Sequence, residues 1–443
     1  MDRPNILYIF TDQQYAGAMS CAGNTDLHTP AMDSIAESGV RFERAYCTYP
    51  LCTPARASMF SGRMPHEVGI TGNGQPIDEK YRQEELGHLL TNAGYECAYG
   101  GKWHVPQISI PDIHGFRRIC GFNDVGLPVR CREFLEEPRD KPFFLVAAFD
   151  NPHNICEWRR QQVVPWGPIG EPPRVEDCPP LPANFAIPPF EPEAIRVAIK
   201  GNTRIYPDSG YPHEQWRRYR WAYYRLVEKV DEQIGQILKA LRGTGFADNT
   251  LIIFSSDHGD GHGAHQLVQK TFMYDEATRV PFLVSVPGMI KGGHVDDRHV
   301  VSNGLDFYAT VCDFAGVDLP EGINGRSVRP LLDGSDDVEW TDHLVVETRF
   351  GQSDSEARMV RTEQYKYMVY GWGAYREQLF DMEKDPGEMV NLAVCSKYGD
   401  VLQHHRDLLR AWCEETGDTF NGHHYSHPGI PFRVPGDEYP QSV

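Results

Sequence analysis

Two short stretches of this sequence gather the residue types that hold a hard cation. The run Asn5-Ile6-Leu7-Tyr8-Ile9-Phe10 leads directly into Thr11-Asp12-Gln13-Gln14, and Leu251-Ile252-Ile253-Phe254 leads into Ser255-Ser256-Asp257-His258. Unalternating apolar runs of this kind read as strands buried on both faces. In open parallel sheets, ligands collect at the carboxyl ends of the strands. Asp12, Gln13, Asp257 and His258 therefore form a candidate divalent-metal set. Oxygen donors outnumber the single imidazole, which suits Ca²⁺, Mg²⁺ or Mn²⁺ better than zinc. Alone, Asp12 reads as a turn or helix cap and Gln13 and Gln14 as loop hydrogen-bonding residues; the pairing of two strand tips is what points to a metal.

A second constellation is Cys52-Thr53-Pro54-Ala55-Arg56, followed by Gly62. Thr53 is expected to cap a helix whose first position is Pro54 and which ends near Gly62. Cys52 then lies at the positive pole of that helix with Arg56 about one turn inside, an anion cradle with a sulfur at its mouth. The spacing is too short for the wrapped loop of a cysteine-based phosphatase. The plainer alternative is a buried structural cysteine.

These groups need a sheet to carry them. Phe143 to Phe149 and Val280 to Val286 complete a set of apolar runs expected to be parallel strands. Helices are expected over Arg82 to Ala93, Glu214 to Leu241 and Asp306 to Phe314, closed by Gly94, Gly243 and Gly316. The alternation predicts an α/β fold, a large mostly parallel sheet flanked by helices. The Pro- and Trp-rich stretch from Cys156 to Pro192 reads as an ordered wrapping loop that walls a pocket. Further on, His343 to Phe350, Arg358 to Tyr370 and Gln378 to Met382 read as antiparallel strands and Val401 to Glu415 as a closing helix. The expected division is a catalytic domain over 1–337 and a smaller α+β subdomain over 338–443, with a His- and Pro-rich tail past Thr419.

Cys52-Thr53-Pro54-Ala55-Arg56 resembles the signature of the type I sulfatases, of the alkaline phosphatase-like superfamily, in which that cysteine is oxidised after translation to formylglycine. The resemblance spans most of the chain. Asn5 to Gln14 is similar to the family's opening strand and metal loop, Thr29-Pro30-Ala31-Met32-Asp33 to its next helix, and Gly100-Gly101-Lys102-Trp103-His104 to its Gly-Lys-x-His segment. Ser256-Asp257-His258-Gly259 and Lys270 fall at family-like spacing. Leu379-Phe380-Asp381, Asp385-Pro386-Gly387-Glu388 and Asn391-Leu392 resemble its C-terminal subdomain. Two positions depart from the commonest pattern: Gln13 stands where many members carry Asp, and His258 where many carry Asn. The Asp-His pair is also similar to phosphonate monoester hydrolases and phosphodiesterases.

The resemblance implies a hydrolase of sulfate esters, with a carbohydrate as the expected carrier. It implies that Cys52, as an aldehyde hydrate, shares the metal with Asp12, Gln13, Asp257 and His258, with Ca²⁺ expected ahead of Mg²⁺ or Mn²⁺. One hydroxyl of the hydrate attacks sulfur and the other, deprotonated, expels sulfate, an exit closed to an ordinary serine. Arg56 is expected to hold the hydrate, Lys102 and Lys270 to contact sulfate oxygens, and His104 to orient or deprotonate the hydrate. His153, with both proton states within reach, is expected to protonate the leaving oxygen. Trp103, His114, Arg349, Trp372 and Arg376 are candidate contacts to the group carrying the sulfate; His262 and His265 either line the pocket or cap the next helix. A formylglycine-generating maturation enzyme is an implied partner, and the oligomeric state is open. Phosphonate or phosphodiester hydrolysis, or silent sulfate binding with Cys52 left as a thiol, are the alternatives.

Composition narrows the partners. In 443 residues, 43 Lys and Arg stand against 62 Asp and Glu, a formal charge of −19 that repels nucleic acid and anionic lipid at long range. No apolar run approaches the ~20 residues of a membrane helix. The first residues show no secretory pattern, so the chain as it stands reads as cytoplasmic, or periplasmic or secreted if a leader has been removed. Eleven irregularly spaced cysteines favour free thiols.

Overall fold

The computed structural model describes residues 3–105, 111–201, 211–286, 290, 292–334, 338–350 and 355–422. Eight strands form the large sheet: β1 (Asn5–Asp12), β2 (Val40–Tyr46), β3 (Glu96–Gly101), β4 (Arg117–Cys120), β5 (Phe143–Pro152), β6 (Thr250–Ser256), β7 (Phe282–Ser285) and β8 (His294–Ser302). Their order is β4-β3-β5-β1-β6-β7-β2-β8. A second sheet is the antiparallel set β9 (His343–Phe350), β10 (Ser355–Thr362), β11 (Tyr365–Tyr370) and β12 (Glu377–Asp381). The helices are α1 (Pro30–Glu37), α2 (Cys52–Ser61), α3 (Leu86–Asn92), α4 (Leu127–Glu136), α5 (Ile155–Arg159), α6 (Glu193–Gly201), α7 (His213–Arg242), α8 (Asp275–Thr278), α9 (Leu305–Ala315) and α10 (Gly399–Thr416).

Strand β1 lies between β5 and β6, parallel to both, and all its side chains are buried. Because successive strand residues point to opposite faces, Leu7 and Ile9 enter the apolar layer shared with α1, α4 and α7, while Ile6, Tyr8 and Phe10 enter the layer shared with α2, α3 and α9. Two-sided burial fixes the strand in register and delivers the polar residues after Phe10 to the sheet's carboxyl edge. The second sheet uses the same alternation. Val346, Met359 and Met368 join the large sheet's core, whereas Val345, Val360, Tyr367 and Val369 pack with Leu402, Leu409 and Cys413 of α10. One face of the smaller unit is therefore continuous with the main core.

Several sequence expectations need correction. The Val280 run gives the short β7, which pairs antiparallel with both β6 and β2; an apolar run reports burial on two faces, not direction. The run Arg358 to Tyr370 is two strands, turning at Glu363 and Gln364. The helix expected over Arg82 to Ala93 is a 3₁₀ turn over Glu79–Glu84 followed by α3. β2, β3, β4 and β8 carried no sufficient apolar signal. The expected boundary near 337 falls on residues 335–337, and most of the tail past Thr419 on 423–443, both outside the described residues. All eleven cysteines are free thiols. Among the described residues no helix is long and apolar enough to cross a membrane.

Candidate active site

Four elements deliver polar groups to one point on the carboxyl edge of the large sheet. Asp12 ends β1, Asp257 and His258 follow β6, Lys102 follows β3, and Asp150 lies near the end of β5. Helix α2 enters from one side. Its N-cap is Leu51, so Cys52 rather than Pro54 is the first helical residue. Thr53 does not cap: its hydroxyl donates to the His104 carbonyl at 2.7 Å and its N–H to Asn73 Oδ1 at 3.0 Å, tying the first turn of α2 to neighbouring loops. Gly62 closes the helix in the left-handed region at φ 68°, with the Tyr308 ring filling the place of a side chain. Cys52 thus sits at the positive helix end, and Arg56, one turn on, shares its face.

Arg56 is fully buried and bridges the two strand tips. It donates from Nε to Asp257 Oδ2 at 2.8 Å and from Nη2 to Asp12 Oδ2 at 2.9 Å. With both Oδ2 atoms held, the Oδ1 atoms face His258 Nε2 at 3.8 Å for Asp12 and 3.5 Å for Asp257. His258 Nδ1 donates to the Gly259 carbonyl at 2.9 Å, which leaves Nε2 for the cluster. Cys52 Sγ lies 3.2 Å from that nitrogen and 3.6 Å from Asp12 Oδ1. Ligand atoms of Asp12, Cys52, Asp257 and His258 all fall within 4.8 Å of one another.

The electrostatics suit a divalent cation at that point. Burial opposes charge on Asp12, but Lys102 and Lys270 above all hold its carboxyl well below the usual range. Burial and the Asp12 charge push Asp257 up. A divalent cation held by Asp12, Asp257 and His258 would relieve that like-charge repulsion, and two carboxylates with one imidazole are a fitting donor set. Burial and Asp12 oppose ionisation of the Cys52 thiol as well, yet Lys270, His258 and a hydrogen bond from His104 outweigh them and hold it well below the ordinary thiol value.

Two lysines converge beside the sulfur. Lys102 Nζ reaches Asp12 Oδ2 at 2.8 Å and Asp150 Oδ1 at 2.9 Å. Lys270 Nζ reaches Cys52 Sγ at 3.0 Å and Gln13 Oε1 at 2.9 Å. Gln13 turns its amide oxygen to Lys270 because its Nε2 donates to the buried Asp260 at 2.7 Å, and Asp260 in turn accepts from Tyr219. Asp260 is thus a second-layer acceptor, not part of the converging set. Beside this cluster opens a cleft of about 540 Å³, lined among others by Lys102, His104, Phe122, Asp150, His153 and Asn154. His104 is exposed there; His153 is partly open, with burial and then the Lys102 and Lys270 charges holding its pKa well below the ordinary value. The loop after Cys156 walls this cleft through Pro165, and the neighbouring Trp166 donates from Nε1 to Asp150 at 3.2 Å.

The expected substrate contacts divide. Trp103 lines the cleft but is nearly buried among Phe60, Tyr99 and Phe116. His114 supports it from behind, its ring 4.7 Å away and its Nδ1 bound to Glu85. His262 is enclosed by Tyr15, Tyr223 and Tyr224, with burial holding it neutral. His265 stacks on Tyr274 at 3.9 Å. Neither lines this cleft, nor do Arg349 of β9 and Trp372 and Arg376 of the β11–β12 connection; histidines in Gly-rich loops serve packing as readily as ligands. Sequence reasoning missed Asp150, although it follows an apolar run as Asp12 and Asp257 do. Phe122, Asn154 and Glu157 carried no local signal. A second convergent group, His265, Glu276 and Glu388, lies against the second sheet. There Lys366 Nζ sits 2.8 Å from both Glu388 and Asp275, so an ammonium already supplies the positive charge.

Comparison with known proteins bears on this geometry. The sequence pattern of the family described as Sulfatase matches residues 4–317, and one described as N-sulphoglucosamine sulphohydrolase, C-terminal, matches 263–414. The Delta 4,5-hexuronate-2-O-sulfatase of Bacteroides thetaiotaomicron is 31% identical, over 95% of this chain and 90% of its own. A solved 2-O GAG sulfatase superposes with a TM-score of 0.85 at 30% identity, covering 99% of this chain and 98% of that one. The phosphonate monoester hydrolase of Agrobacterium radiobacter shares the fold, with a TM-score of 0.75 at 22% identity over 98% of this chain and all (100%) of that one.

Proposed function

The chain belongs to the sulfatase family and is a sulfuric ester hydrolase, and from that premise we propose that its substrate is a sulfated carbohydrate, cleaved at Cys52 beside a Ca²⁺ ion. The observation that carries the reading is the Cys52 sulfur itself, set among His258, Asp12 and Lys270 rather than in apolar packing. The carbohydrate is supported by the relatives named above, which act on a Delta 4,5-hexuronate and on GAG. Ca²⁺ is favoured by the hard carboxylate oxygens of Asp12 and Asp257; Gln13, expected among the ligands, gives its amide oxygen to Lys270 instead.

When present, the cation supplies Lewis acidity and the formyl group made from Cys52 by a maturation enzyme supplies, as its hydrate, the attacking oxygen. The chain's own residues do the rest. Arg56 holds both aspartates in place and balances their charge, a task for a rigid fork of donors. Lys102 and Lys270 face the sulfate oxygens, where charge grows as the bond to the leaving oxygen breaks. His104, hydrogen-bonded at position 52, orients the nucleophile. Burial and the two lysines keep His153 neutral in the free site; the negative charge of an arriving ester raises its proton affinity, so it takes a proton from solvent and delivers it to the leaving oxygen, returning to the neutral form. The unit from about residue 338 braces the carboxyl edge from one side.

Mass spectrometry of the peptide containing Cys52, on protein made in a host that matures sulfatases, tests the nucleophile: an aldehyde or its hydrate is expected, and thiol alone overturns the proposal. Gln13 and His258 sustain one rival, a phosphonate monoester or phosphodiester hydrolase. An efficiency for aryl phosphonates orders of magnitude above that for an aryl sulfate would favour it.

A further inference from the structure

Asp124 is an acid in the loop between β4 and α4, with none of its surface exposed. Its two oxygens accept from successive backbone groups near the end of β5: Oδ1 from the Asp150 N–H and Oδ2 from the Asn151 N–H, each at 2.9 Å. Burial, and after it the Asp150 charge, push this carboxyl up to about 7. The fold thus keeps an acid where desolvation and a like charge both oppose it. The two amides account for that choice. Adjacent N–H groups at a buried strand end need two acceptors, and a carboxylate offers both on one short stem where an asparagine offers one.

The strand end held in this way carries the carboxylate that steers Lys102. Lys102 Nζ is shared between Asp12 Oδ2 at 2.8 Å and Asp150 Oδ1 at 2.9 Å; with Asp150 displaced, the ammonium would turn wholly to Asp12. The other Asp150 oxygen accepts from Asn154 at 2.5 Å and from Trp166 at 3.2 Å, and the Asp150 carbonyl accepts from the His153 N–H at 2.9 Å. The loop of Asp124 also reaches Lys102 from a second side, because Phe122 places its ring centre 5.7 Å from the ammonium. Phe122, Lys102 and Asp150 all line the cleft, whereas Asp124 stands behind them.

We propose that Asp124 is a positioning residue for the hydrolysis: by clamping the Asp150 and Asn151 amides it fixes Asp150 where that carboxylate draws Lys102 away from Asp12 and towards the sulfate. This rests on the reading above in which Lys102 meets the sulfate, and it adds what holds the lysine there. A misplacement of about 1 Å in such a group can cost about a hundredfold in rate.

The test is a double-variant cycle on the mature enzyme, with kcat and KM measured on 4-nitrophenyl sulfate, whose good leaving group keeps slow variants measurable. Asp124→Asn has the same shape but must turn an N–H towards one of the two amides. It is expected to lower kcat about 10–100-fold while KM changes by less than about threefold. Added to Lys102→Ala, it should cost less than about threefold further, because the group it positions is gone; a loss of folded protein would instead lower both backgrounds alike. Asp124→Glu, with both acceptors displaced by one methylene, serves in the same cycle if the asparagine form does not fold. Wild-type kcat in the folded Asp124 variant, or an equal loss with and without Lys102, overturns the positioning role and leaves the role of Lys102 standing. Full turnover by Lys102→Ala overturns both.

Discussion

Two buried clusters in this molecule have nearly the same ingredients and opposite uses. At the strand tips, Asp12, Asp257 and His258 converge with Cys52; at the junction with the second sheet, His265, Glu276 and Glu388 converge near Asp275. Both are desolvated, and in both burial pushes a carboxyl up, Asp257 in one and Glu388 in the other. They differ in where the cations stand. Arg56 and Lys102 take the Oδ2 side of the aspartates, and Lys270 stands at the edge, 3.0 Å from the Cys52 sulfur and 3.8 Å from Asp12 Oδ1. Lys366, fully buried, sits instead against the carboxylates themselves and pins β11 to α8 and to the loop after β12. The strand-tip cluster thus keeps a sulfur among its converging groups with cations around it, whereas at the junction the ammonium lies between two carboxylates and clamps them.

The sharpest way to break this contrast is to remove one charge from each cluster. Asp257→Asn should lower kcat by at least about 10³-fold and abolish tight metal binding while the thermal midpoint moves little; retained turnover would strip Asp257 of its role. Lys366→Met should do the converse, costing about 3–5 kcal/mol in denaturant unfolding because two carboxylates lose their buried partner, with the specific activity of the folded fraction near wild type. Metal analysis of the mature protein should return one divalent ion per chain, and two would mean that the junction cluster is also a cation site. Lys270→Ala is expected to cost about 10²–10³-fold in kcat/KM without loss of stability. The smallest effect concerns His66, whose Nδ1 meets Glu347 Oε1 of β9 at 2.5 Å. Burial opposes its charge, but that carboxylate raises its pKa to about 9, above the unfolded value of about 6.5. The pair's contribution is therefore complete below about pH 6.5 and lost as pH rises through about 9. Unfolding at several pH values should show about 1–2 kcal/mol less dependence over that window in His66→Gln.

The strand tips were legible in the sequence because two-face burial writes an unmistakable pattern. An apolar run that stops at a carboxylate, as at Phe10 and Phe254, reports both a buried strand and the edge where chemistry collects. The same rule applied to Phe149-Asp150 would have added the partner of Lys102. It did not reveal that β7 runs against its neighbours, nor that Cys52 begins α2, since direction and caps depend on what packs alongside. His262 and His265 were ambiguous for a related reason: Tyr15, Tyr223, Tyr224 and Tyr274, which enclose them, come mostly from distant chain segments.

By itself the sequence determined which chemistry the chain carries, because donor types, their position after buried strands and the Cys52-to-Arg56 spacing are local properties. The tertiary structure alone decided which cluster remains open and which is filled. That choice turns on where remote ammonium groups arrive, Lys366 of β11 between Asp275 and Glu388, Lys102 and Lys270 at the edges of the strand-tip cluster, and no local pattern records the direction of arrival.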